Sequence, residues 1–163
     1  MNPHPDPLYA EFVARQGPLL EAFAGANHDL LTVRQANPVA WAVVLHCKGL
    51  LREAGGNIID GERFEAGIYF PPDHLRRWDP GTVTMLTPRV WHPNILGPAV
   101  CLGSMRPAMS ITDILTQLVE ILTYQNFATH DGLNPAACQW ARNHRERFPL
   151  ERRPIHIPSP VSA

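Results

Sequence analysis

A chain of 163 residues, 45 % of them apolar and 18 % charged, has the composition of an ordinary globular protein and the length of one domain with a real core. Its net charge of −1 leaves no electrostatic footprint for nucleic acid, and no apolar run approaches the ~20 residues that cross a bilayer. The opening Met1-Asn2-Pro3-His4-Pro5-Asp6-Pro7 lacks both a positive charge and an apolar stretch, so no secretory signal is read and a cytoplasmic location is expected.

In chain order, Asp6-Pro7 reads as a cap followed by proline in a first helical turn. Leu8, Phe12, Val13, Leu19, Leu20 and Phe23 give a helical pattern broken at Gly17-Pro18, which predicts one kinked helix or two short ones. Strands are expected at 30–35 and, after the Asn37-Pro38 turn, at 41–45. Residues 49–61, with Gly55-Gly56 and Asp60-Gly61, read as a loop. Further strands follow at 64–70, stopped by Pro71-Pro72, and at 82–86. Residues 87–109 carry four prolines and little periodicity, and a structureless loop of that length is usually functional. Ser110 and Asp113 form a capping pair for a strongly apolar helix over 111–125. Asn134-Pro135 opens a last helix that ends before Pro149. The predicted fold class is α+β, with an N-terminal helix, a four-stranded antiparallel meander, a central helix and a C-terminal helix. The expected division is one domain over 1–150 and an extended or mobile proline-rich tail over 151–163.

Three cysteines, Cys47, Cys101 and Cys138, include no C-x-x-C pair, and the eight histidines have no ligand spacing. Neither a disulfide framework, a metal nor another cofactor is expected. Cys101 lies in the long irregular connection, flanked by Gly97 and Gly103, which permit close approach of another backbone. A thiol with no neighbouring base is a modest nucleophile. It suffices to exchange with a thioester, whose leaving thiol is equally good, but not to attack an amide. Just upstream lies Asn94, whose side-chain amide could stabilise the oxyanion formed on passing an acyl group to an amine. It equally suits a role in bonding loop backbone. Thirteen arginines stand against a single lysine, Lys48. Genomic codon bias and selection for few amines in an acyl carrier both account for that. Arg142, Arg145, Arg147, Arg152 and Arg153, interrupted by Glu146 and Glu151, read as a solvated helix face and tail.

Several short runs share their order with a known family. They are Asn37-Pro38-x-x-Trp41, Ile68-Tyr69-Phe70-Pro71, Trp91-His92-Pro93-Asn94, Val100-Cys101-Leu102, Pro107-Ala108-Met109-Ser110-Ile111, Asp131-Gly132-Leu133-Asn134 and Ala136-Ala137-x-x-Trp140. Over roughly residues 30–142 the chain resembles ubiquitin-conjugating enzymes, which carry a ubiquitin-like protein from an activating enzyme to its acceptor. The resemblance implies that Cys101 is the thioester-forming nucleophile. By the same resemblance Asn94 supports aminolysis, His92 and Pro93 shape its turn, and Asp131 orients and deprotonates the incoming lysine. Trp78, Pro107 and Ala108 fall in the two regions that bind a ligase in eukaryotic relatives.

The chain departs from the family pattern in four places. Asn94 and Cys101 are one residue closer than is common, the 102–106 segment is short, and 74–80 lacks the usual proline-rich stretch. The chain beyond Trp140 is also short, so the family's last helix is expected to be missing. These features resemble the divergent conjugating enzymes that bacteria encode beside an activating enzyme, a ubiquitin-like protein and a deconjugating peptidase, as in antiphage defence. The implied partners are those three proteins and a protein substrate, with no nucleic acid and no membrane. The alternative is a catalytically inactive module of the same fold that only binds a ubiquitin-like protein.

Overall fold

The computed structural model describes residues 6–159. The side chain of Asp6 accepts from the Leu8 N–H at 2.9 Å, and α1 runs unbroken over Pro7–Ala26. Of the two expected forms, the single helix is found. Pro18 deprives the Ala14 carbonyl of its partner, but both residues face solvent, so water can satisfy that carbonyl. Val13, Leu20 and Phe23 turn inward.

Strands β1 (Leu31–Asn37) and β2 (Ala40–Leu45) pair antiparallel. Residues 49–61, expected as a loop, instead form a separate two-stranded sheet of β3 (Gly49–Arg52) and β4 (Ile58–Gly61). Gly55-Gly56 is its turn, with Gly56 at a φ of 91°, and the flanking Leu50-Leu51 and Ile58-Ile59 are its strands. Strand β5 (Phe64–Tyr69) pairs with β2, and β6 (Val83–Met85) pairs with β5, which completes the expected four-stranded meander. Trp41, Val43, Leu45, Phe64, Ala66 and Ile68 alternate onto its buried face, the period-two pattern of a half-buried sheet.

The 87–109 connection is more ordered than its prolines suggest. The hairpin β7 (Ile95–Leu96) and β8 (Ala99–Val100) extends the sheet to the order β1-β2-β5-β6-β8-β7. Val90 bridges to Leu51 of β3, and the Trp91 N–H donates to the Leu50 carbonyl at 2.8 Å. Burial of Ile95 and Val100 holds the hairpin down, a long-range effect that no local pattern announces.

Helix α2 (Ile111–Leu122) starts on Ser110, whose hydroxyl accepts from the Asp113 N–H, and seven of its residues are buried against the sheet and α1. It stops short of 125 because Tyr124 takes a φ of 57° and buries its ring. Gln16 joins the two helices. Its Oε1 accepts from the Ile111 N–H at 2.8 Å, one of the donors a helix start leaves without a partner. Helix α3 (Pro135–Arg142) is capped by Asn134 and ends well before Pro149, followed by a short 3-10 turn at 145–147.

Residues 151–159 carry no regular structure, yet several are fastened. Glu151 accepts from the Lys48 N–H at 2.6 Å, Arg153 donates to the His46 carbonyl at 2.8 Å, and Asn27 bonds both backbone groups of His156. The part of the tail reading that falls on 160–163 lies outside the described residues. Among the described residues no helix is long and apolar enough to cross a membrane.

Candidate functional site

Asn94 is the knot of the site. Its backbone N–H donates to His92 Nδ1 at 2.9 Å, and its carbonyl accepts from the Cys101 N–H at 2.8 Å. Its side-chain amide donates to the Cys101 carbonyl at 3.0 Å and accepts from the Ala128 N–H at 2.9 Å. The cysteine backbone is therefore gripped from both sides, and the loop after α2 is tied to the same residue. One of the two amide hydrogens of Asn94 is spent on this grip, which leaves the second without a partner among the described residues.

His92 is 1 % exposed and lies 4.4 Å, centroid to centroid, from Tyr124. Because Nδ1 accepts, the proton sits on Nε2, which faces the Ile121 carbonyl without reaching hydrogen-bond geometry. Burial pushes its pKa down to about 3, so the ring is neutral and serves as a fixed acceptor. Tyr124 donates its hydroxyl to the Trp91 carbonyl and so closes the turn from the other side.

Cys101 follows β8 directly and is half-buried, whereas Cys47 and Cys138 are 2 % and 1 % exposed. The polar partner of its sulfur among the described residues is the Leu102 carbonyl, at 3.7 Å. Burial, with the Glu151 carboxylate nearby, pushes the Cys47 thiol up to about 12, which leaves it inert. Of the three thiols, only Cys101 combines access with a rigid backbone.

Asp131 is exposed on the loop between α2 and α3. That loop has two anchors on the Asn94 turn. Ala128 binds the Asn94 side chain, and the Asn134 N–H donates to the Pro93 carbonyl at 3.0 Å. Asp131 sits between them. Its neighbour Gly132 packs so closely that a Cβ there would overlap the Pro93 carbonyl and come within 2.6 Å of Cys138 Sγ. The glycine is needed for this close contact.

The flanking glycines of Cys101 divide. Gly97, at a φ of 57°, serves the β7–β8 turn and has nothing within 4 Å of a built Cβ, so no backbone approaches it as expected. Gly103 is approached by the Asn126 side chain, whose nitrogen would lie 2.7 Å from a Cβ. Gln117 of α2 makes two bonds to Ser104 backbone, at 2.7 and 2.9 Å, and steadies the segment beyond the thiol.

Trp78, Pro107 and Ala108 lie on two adjoining loops. Pro107 and Ala108 are exposed and Trp78 is half-buried. His74, fully buried, joins the loops. Its carbonyl accepts from the Ala108 N–H, and its Nε2 donates to the Met109 carbonyl, both at 2.9 Å. Gln16, His74, Gln117, Tyr124 and Asn126 escaped the sequence reading because each acts on a partner far along the chain. Only Gly132, beside Asp131 in a turn-like run, carried a local signal.

No protein-family model matches the chain, and no curated protein does. Solved structures do. The E2 domain of a Toxoplasma gondii ubiquitin conjugating enzyme is similar at 21 % identity and a TM-score of 0.51, over 83 % of this chain and 92 % of that one. Ubc12 of S. cerevisiae is similar at 18 % identity and a TM-score of 0.52, over 81 % of this chain and 75 % of that one. The helix, the meander and the central helix across it are thus the fold of ubiquitin-conjugating enzymes, and the chain has that fold.

Proposed function

We propose that this chain accepts the C-terminus of a ubiquitin-like protein from an activating enzyme as a thioester on Cys101 and passes it to a lysine of a protein substrate. The observation that carries the reading is the contrast among the three thiols: Cys101 alone is accessible, and Asn94 fixes its backbone through two hydrogen bonds.

In loading, the Cys101 sulfur attacks the activating enzyme's thioester carbonyl. The carbon–sulfur bond to that enzyme breaks, and the thiol proton ends on the departing sulfur. In discharge, a lysine amine attacks the new thioester and an oxyanion forms. Its collapse expels Cys101 as thiolate. The remaining amide hydrogen of Asn94 supports that oxyanion. Asp131, exposed on a loop anchored at both ends, holds the ammonium and takes its proton. The acyl group moves from thiol to thiol and then to nitrogen with no change of oxidation state, so the scheme calls for no redox cofactor.

The test is incubation with the activating enzyme, its nucleotide and the ubiquitin-like protein. The expected adduct is cleaved by thiol reductant in wild type. In Cys101→Ser it becomes a base-labile oxyester that resists reductant, because an alkoxide leaves poorly. An adduct that persists on Cys101→Ala, or that maps to Cys47 or Cys138, overturns the assignment. Absence of any adduct while the ubiquitin-like protein still binds establishes the inactive-module reading instead.

A further inference from the structure

A groove of about 640 Å³ opens between the β3–β4 hairpin and α3. Two indoles, Trp91 and Trp140, meet in it edge-to-face with centroids 6.4 Å apart. Each carries a guanidinium, Arg52 at 5.2 Å from the Trp91 centroid and Arg147 at 5.5 Å from that of Trp140. Resting on the rings holds both forks in place while their N–H groups remain able to donate. No carboxylate is among the residues that line the groove. Among the described residues Arg52 pairs with no acid, and Arg147 meets only Asp60, at 3.3 Å, whose side chain is 80 % exposed.

The groove is tied to the turn that grips the thiol through two of its walls. Trp91 leads directly into His92-Pro93-Asn94, and α3 is anchored to the same turn by the bond from Asn134 to the Pro93 carbonyl. Gln139 and Asn143 add side-chain amides on the α3 wall that can bond an extended backbone. We propose that this groove binds an acidic segment of the acceptor protein, a stretch with Asp or Glu beside the lysine to be acylated. The proposal rests on the carrier reading above for its occupant.

Two fixed guanidiniums suit carboxylates, which they engage in paired hydrogen bonds. A nucleic acid fits less well, because stacking needs an open ring face. Trp91 is 7 % exposed under Arg52, and the Trp140 ring is stacked by His144 at 4.1 Å and covered by Arg147. Nor does the rest of the surface carry the excess positive charge that a phosphate chain needs, since the whole chain has a net charge of −1.

The experiment is fluorescence anisotropy at low ionic strength with a short labelled peptide carrying one lysine flanked by glutamates, against its glutamine counterpart. The acidic peptide should bind about tenfold more tightly, and Arg52→Gln and Arg147→Gln should each weaken it about three- to tenfold while leaving the glutamine peptide unchanged. Thermal melts of the two variants, both altered at exposed side chains, should match wild type. Equal affinity for the two peptides overturns the proposal, as does no binding of either at millimolar concentration, or indifference to both substitutions. Displacement by a single-stranded oligonucleotide at lower concentration than by unlabelled peptide assigns the groove to nucleic acid and overturns it too. Peptide binding requires no thioester. A chain that selects the acidic peptide through Arg52 and Arg147 but forms no reductant-sensitive adduct overturns the carrier reading alone; one that loads Cys101 and binds both peptides alike overturns the groove alone.

Discussion

The connection from Cys101 to Ser110 is held at its two ends by different devices built on the same kind of residue. At the thiol end His92 accepts from Asn94 two residues away, and Asn94 then grips the cysteine. At the helix end His74 reaches Met109, 35 residues further along the chain. Both rings are buried, both are held neutral by burial, and each leaves one nitrogen without a partner, Nε2 of His92 and Nδ1 of His74. Between them, residues 103–107 are exposed. The lesson is that the segment beyond the thiol is stiff where it is clamped and open between the clamps, and that a local clamp leaves a motif while a remote one does not.

Acid should break both clamps and give the largest effect. The folded-state pKa of His92 is lowered from 6.5 to about 3, so between those values the unfolded chain binds more protons than the folded one. Stability is fully present above about pH 6.5 and falls with decreasing pH, by up to about 1.4 kcal/mol per unit, or roughly 3 kcal/mol by pH 4. His74, also lowered, adds loss in the same direction. The variant His92→Asn keeps an acceptor near the Nδ1 position and cannot titrate. Urea melts from pH 7 to pH 4 should show a shallower loss for it than for wild type, and parallel curves would remove His92 from the account.

Gly132→Ala attacks the thiol-end clamp from outside. The new methyl meets the Pro93 carbonyl and Cys138 Sγ, and forced overpacking of that kind costs about 1–3 kcal/mol. Adding Cys138→Ala should recover part of the loss but not the carbonyl clash. A Gly132→Ala protein as stable as wild type in denaturant would mean the loop is free to lift away.

Asn94→Ala leaves the Ala128 N–H and the Cys101 carbonyl short of a partner, a cost of about 1–2 kcal/mol in equilibrium unfolding. Loading should stay near normal, because exchange between like thiols needs little oxyanion support. Discharge to free lysine should slow by ~10²-fold, less where water substitutes. Equal losses in loading and discharge in single-turnover assays would confine Asn94 to holding backbone.

Asp131→Ala sharpens the contrast with the smallest effect on stability, within about 0.5 kcal/mol, because the side chain is exposed and unpaired among the described residues. Its discharge should be slow at neutral pH and partly recover at high pH, where lysine has lost its proton without help. A defect that is flat across the pH series would deny it the role of proton acceptor.

Wherever cause and effect lie within a few residues, the sequence by itself determined the outcome. Asp6, Ser110 and Asn134 cap their helices through bonds to residues two or three positions on, and His92-Pro93-Asn94 builds its turn from its own atoms. The alternation in β2 and β5 follows from one buried face. Only the tertiary structure decided that residues 49–61 form a hairpin docked on Trp91, that β7 and β8 continue the sheet, and that Gln16, His74 and Gly132 hold distant segments together. It also decided that two arginines far apart in the sequence, Arg52 and Arg147, rest on neighbouring indoles. The physical reason is the same throughout. A buried polar group or a close backbone approach is stabilised by whichever partner packing delivers, and that partner leaves no mark at the residue's own position in the chain.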